Sequence, residues 1–143
     1  MRISKDNYFM QLAMVASKRA GCAKRAVGCV LVDRGGYVLS VAYNGTPSGA
    51  PHCDVSNPCD NWQLPSGLDN CLGVHAEQNA LLQCRDPREI ATAYVTLSPC
   101  KPCVKLLMNT GCQRIVFLEE HVDPWPKEQW LKLGREWQHL ELN

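Results

Sequence analysis

The chain has 143 residues, 45% of them apolar and 20% charged, and 15 Lys+Arg against 14 Asp+Glu leave a formal net charge of +1. This is the length of one domain with one sizeable core, and the apolar content excludes a disordered polymer. No apolar run approaches the ~20 residues of a membrane span, and a near-neutral chain with few aromatics is not built to hold a polynucleotide by phosphate neutralisation or base stacking.

Phe9, Leu12, Ala13, Ala16 and Ala20 recur at helical spacing, with Ser4 or Asp6 to cap the start and Gly21 to stop the run, and so predict a first helix. Residues 27–33 and 37–43 are β-rich and flank Arg34-Gly35-Gly36, which predicts a hairpin. From 44 to 73 periodicity vanishes in a stretch dense in Gly, Pro and Asn that holds three Cys. So long an irregular segment inside a compact domain implies that something other than a core pins it. Residues 74–84 predict a helix with Ala76, Ala80 and Leu81 inward, ended by Asp86-Pro87. A strand over 91–97 follows, then a helix over 100–109 closed by Gly111, a strand over 114–118, a helix over 127–133 and a last strand over 136–142. The order predicts an α/β fold, a five-stranded mixed sheet flanked by helices in three layers. The alternating second half supplies parallel strands through crossovers. No repeat or linker divides the chain, so 1–143 reads as a single domain.

The opening residues Met1 to Asp6 lack the apolar core and small-residue cleavage site of a secretory signal, which points to the cytoplasm. Nine cysteines, an odd number, are better explained there by metal ligation than by disulfides. Two fragments carry the chemistry: His75-Ala76-Glu77 at the start of one predicted helix and Pro99-Cys100-Lys101-Pro102-Cys103 at the start of another. A Cys-x-x-Cys pair in a helix's first turn meets the positive end of the dipole, which favours the thiolate form that binds zinc. With His75 the set is Cys2His, leaving one position open, the pattern of a catalytic rather than a structural zinc site. Glu77 is the candidate base for water at that position. Residues i and i+2 do not face each other on a helix, so His75 has to stand at the helix terminus with the metal off its end. Taken singly, the Cys pair also reads as a redox couple or half a zinc knuckle, and a His-x-Glu occurs by chance. Together they match the zinc-deaminase signature.

On these motifs, with Val27-Gly28, Tyr43-Asn44-Gly45-Thr46-Pro47-Ser48-Gly49 and Tyr94 to Cys100, the chain resembles the deoxycytidylate (dCMP) deaminases of the cytidine deaminase superfamily. The resemblance implies the cytidine-deaminase-like three-layer α-β-α fold and hydrolytic conversion of dCMP to dUMP and ammonia, a step in pyrimidine deoxynucleotide metabolism. It implies that Glu77 moves the protons, that the Ala76 N–H and the Ser98 carbonyl hold the pyrimidine edge, and that Asn44 bonds the sugar. Lys24 or Arg25 lies where relatives carry a phosphate-binding base, Lys24 aligning better. His121 stands where the family usually has a tyrosine near the substrate, and it leaves preference for plain over 5-substituted dCMP open. Cys22, Cys53, Cys59 and Cys71, with His52 as substitute ligand, form a candidate structural site for a second Zn2+ that would pin the 44–74 insertion. The loop Asn44, Gly45, Thr46, Pro47, Ser48 and Gly49 resembles the family's regulatory loop, implying dCTP and dTTP as effectors, with Mg2+ accompanying them, and a hexamer or dimer. Cys29, Cys84 and Cys112 have apolar neighbours and read as small core hydrophobes.

Two other functions compete with this reading. One is deamination of free cytidine, deoxycytidine or a nucleic-acid base by the same chemistry. The other is a non-enzymatic interaction module in which zinc only stabilises the fold.

Overall fold

A computed structural model describes residues 1–22, 24–53 and 72–142. Helix α1 (Lys5–Ser17) starts at Ser4, whose side chain accepts from the Asn7 N–H at 3.1 Å. It stops short of the expected end: 18–20 close the helix in turn bonds, and Gly21 instead bridges to Gly45. Strands β1 (Gly28–Asp33) and β2 (Val38–Tyr43) form the hairpin, with Gly36 at φ +85° in its turn. Then follow α2 (Ala76–Gln83), a 3-10 turn over Pro87–Glu89, β3 (Ile90–Leu97), α3 (Lys101–Met108), β4 (Arg114–Glu119), α4 (Trp125–Lys132) and β5 (Glu136–His139).

The five strands run in the order β2-β1-β3-β4-β5. β1 is antiparallel to both neighbours, and β3, β4 and β5 are parallel, as crossover helices require. α1 covers one face through Phe9, Met10 and Ala13 against Val30, Val32, Tyr94 and Val116. α2, α3 and α4 cover the other through Ala80, Val104, Leu107 and Trp130 against Leu31, Val95, Ile115 and Phe117. The three-layer mixed-sheet expectation therefore holds. Cys29 and Cys112 are fully buried in the second cluster and Cys84 nearly so, as expected of small hydrophobes. Burial pushes their thiols up, the Cys112 thiol to about 11. Among the described residues no helix is long and apolar enough to cross a membrane.

Candidate active site

Two short helices begin at one place. His75, in extended conformation (φ −71°, ψ 155°), is the residue before α2, and Cys100 (φ −75°, ψ 177°) is the residue before α3. The His75 N–H donates to Gln78 Oε1 at 2.8 Å and its carbonyl accepts from the Asn79 N–H at 2.9 Å, which anchors the residue at the helix start. This is the terminal position that the i, i+2 argument demands of His75 and Glu77. Its Nδ1 lies 3.2 Å from Cys103 Sγ and 3.3 Å from Cys100 Sγ. All three donor atoms lie within 4.8 Å of one another, and they are the only such group among the described residues. Zn–S and Zn–N bonds of about 2.3 and 2.0 Å at tetrahedral angles separate N from S by roughly 3.5 Å, so the cluster fits three corners around zinc. Its donor chemistry, two sulfurs at the N-terminus of a helix and one imidazole, is also that of zinc.

The two thiols are pushed in opposite directions. A hydrogen bond from Cys103 holds Cys100 low, to about 4, and the same bond with burial drives Cys103 far up. Cys100 is thus the readier thiolate. Glu77, in the first turn of α2, is only 4% exposed, and burial pushes its carboxyl up to about 7 against the opposing pull of its own backbone N–H. Glu77 lines a cavity of about 130 Å3 together with His75, Ala76, Ser98, Cys100 and His121.

Four of the other residues predicted from sequence meet in the same cavity. Cys22, Lys24, Arg25 and Asn44 line it as well. Asn44 also braces the backbone: its Oδ1 accepts from the Val27 N–H at 2.8 Å and its Nδ2 donates to the Arg25 carbonyl at 3.0 Å. Ser98, 2% exposed, receives the His121 N–H on its Oγ at 2.7 Å. Of the loop 44–49, Gly45 bonds Val74 in both directions (3.1 and 2.7 Å) and Gly49 has φ +86°. Of the second-zinc candidates, Cys53 is buried and His52 exposed, while Cys59 and Cys71 lie outside the described residues. Sequence reasoning missed Gln78, legible as the third residue after a helix cap. It also missed Asp123, whose place ahead of Pro124-Trp125 is a capping signal.

Residues 3–119 match the model of the cytidine and deoxycytidylate deaminase zinc-binding region. The chain is 43% identical over 121 residues to a deoxycytidylate deaminase of Schizosaccharomyces pombe, covering 81% of this chain but only 37% of that protein. It is 39% identical over 123 residues to the deoxycytidylate deaminase of Mycobacterium phage D29, covering 80% of this chain and 94% of the phage protein. The crystal structure of a dCMP deaminase from cyanophage S-TIM5 superposes with a TM-score of 0.74 at 25% identity, over 98% of this chain and 100% of that one. A family match across most of the chain, together with a Cys2His donor set of zinc geometry, makes this chain a member of the cytidine and deoxycytidylate deaminase family.

Proposed function

We propose that the protein deaminates dCMP to dUMP and ammonia. The observation that carries this reading is the carboxyl of Glu77, buried on a cavity that is also lined by His75 and Cys100 of the Cys2His donor cluster and by Lys24 and Arg25. Zinc held by His75, Cys100 and Cys103 would supply the Lewis acid that makes water a nucleophile near neutrality. Glu77 takes the proton from the attacking water, passes it to N3 of the cytosine ring and helps protonate the departing amine, one carboxylate serving both steps. The Ala76 N–H and the Ser98 carbonyl hold the pyrimidine edge, Asn44 meets the sugar, and Lys24 with Arg25 faces the phosphate. The relatives' names support this choice of nucleotide over cytidine.

The same reading extends to control and assembly: dCTP and dTTP, with Mg2+, act through residues 44–49, the chain works as a homo-oligomer in the cytoplasm, and a second zinc ties in the 44–74 insertion. The loop motif and the cysteine count support these points.

The test is Glu77→Gln. Zinc content should stay at the wild-type level while dCMP turnover, followed by absorbance loss, falls roughly 10^2- to 10^4-fold. An unchanged rate refutes the role of Glu77, and a wild type with zinc but no deamination favours the interaction module. A wild-type enzyme faster on cytidine or single-stranded DNA than on dCMP refutes the substrate.

A further inference from the structure

We propose that His121 is a specificity-determining residue whose imidazole Nε2–H donates to the 5′-phosphate of the bound mononucleotide, and this rests on reading the cavity as a dCMP site. The Asp123 backbone N–H points at His121 Nδ1, 3.2 Å away. A backbone N–H only donates, so Nδ1 is the acceptor, and the ring proton of the neutral imidazole sits on Nε2. Among the described residues no hydrogen bond engages Nε2, although the side chain is half-buried on the cavity wall.

The turn that carries the ring is fastened on both sides. The His121 N–H is bonded to Ser98 Oγ at the end of β3. Asp123 Oδ1 accepts from the Trp125 N–H at 3.1 Å, at the start of α4, and its Oδ2 lies 3.8 Å from Lys101 Nζ, at the start of α3. Lys101 Nζ in turn stands 5.6 Å from the centre of the Trp125 ring. The imidazole is thus preset as a single directed donor, so little ordering remains to be done when ligand binds.

The charge of the wall selects the acceptor. Among the described residues that line the cavity Glu77 is the only carboxylate, while Lys24 and Arg25 are cations. A ligand that brings its reacting base to Glu77 leaves its other end for that basic wall. There a phosphate dianion forms a charge-assisted bond with the donor, stronger than the bond a neutral carbonyl would make. The rival acceptor is the exocyclic carbonyl of the base, which deoxycytidine shares and the phosphate arm of the test isolates.

The experiment compares wild type with His121→Ala, His121→Phe and His121→Gln, reading turnover of dCMP against deoxycytidine and calorimetric binding of dUMP against deoxyuridine. Loss of a donor to a charged group predicts that Ala and Phe reduce the preference for the phosphorylated ligand roughly 10- to 100-fold, mainly through KM and Kd, and that Gln, which keeps an N–H donor, restores part of it. A Phe variant that keeps wild-type preference would show that the ring stacks rather than donates, and would overturn the inference. So would equal losses on both members of each pair, which would mean a structural role. Wild type that deaminates neither substrate defeats the proposed function alone, because the dUMP–deoxyuridine comparison still reads His121. Wild type that binds dUMP no better than deoxyuridine defeats the His121 inference, whatever it deaminates. Melting temperatures of all three variants check that the fold is retained.

Discussion

At the scale of the residue, Asn44 shows how much of the site is held by single side chains. Its amide uses the oxygen on Val27 and the nitrogen on Arg25, while its backbone carbonyl receives the Gly21 N–H at 2.9 Å, so one 9%-exposed residue fixes the segment ahead of β1 that carries both candidate phosphate cations. Asn44→Ala leaves a part-buried N–H and a part-buried carbonyl to find other partners, and should lower unfolding free energy by about 1 kcal/mol, read from the urea midpoint. From sequence Asn44 reads as a sugar ligand because its neighbours match a family loop. The brace was not legible, since its partners lie 17 and 19 positions away and nothing local pairs them. His75, Glu77, Cys100 and Cys103 were legible because donor chemistry and spacing are written in the chain itself.

At the scale of the element, the contact between α1 and β1 depends on one missing side chain. A Cβ on Gly28 would stand 1.8 Å from the Ala13 carbonyl oxygen and 2.9 Å from the Ser17 nitrogen, both backbone atoms of α1. Gly28→Ala must therefore push helix and strand apart, at a cost of about 3 kcal/mol, and the thermal midpoint should fall accordingly. A nearly unchanged midpoint would mean the layers are looser than this contact implies. Helix positions were readable because short amphipathic faces repeat at 3.6 residues, but their ends were not. α2 is two residues shorter at its start than periodicity suggests, because His75 leaves the helix to reach the cysteines. β5 ends at His139 rather than 142. The closing of α3 was equally hidden: Arg135 donates to the Met108 and Cys112 carbonyls at 3.0 and 3.1 Å while its guanidinium stacks over Trp130.

At the scale of the whole molecule, one polar cluster joins the first helix to the parallel half of the sheet. Arg114 on β4 makes a paired contact with Asp6 on α1, at 2.9 and 2.7 Å, and Tyr94 on β3 donates to the same carboxylate at 2.6 Å. Arg114 also reaches Gln138 on β5 at 3.1 Å. The Arg114 guanidinium holds the Asp6 carboxyl below its ordinary value of 3.8, and the Tyr94 hydroxyl lowers it further against the effect of burial. A carboxyl lowered in the folded state stabilises it at pH above its unfolded value, and that contribution disappears as pH falls through the folded one. Asp6→Asn should therefore cost about 1.5–3 kcal/mol at pH 7, and the gap to wild type should close below pH 3.8, as followed by urea denaturation at each pH. A gap constant with pH would mean the pair contributes packing and no charge. The layer order was legible from the sequence of helices and strands. This cluster was not, because its members are up to 108 positions apart.

The paired bonds between Gly45 and Val74 have a consequence for how this chain tolerates change. They join the two ends of a long excursion next to His75, which fixes where the metal donor meets the start of its helix. Deleting 54–71 in favour of a short Gly-Ser bridge should then spare tight zinc uptake at the His75 cluster, measured by competition with a chelator. Weak uptake would mean that the excursion itself steadies the donor, and sites elsewhere whose flanks are clasped in this manner would lose their claim to be free to lengthen or shrink.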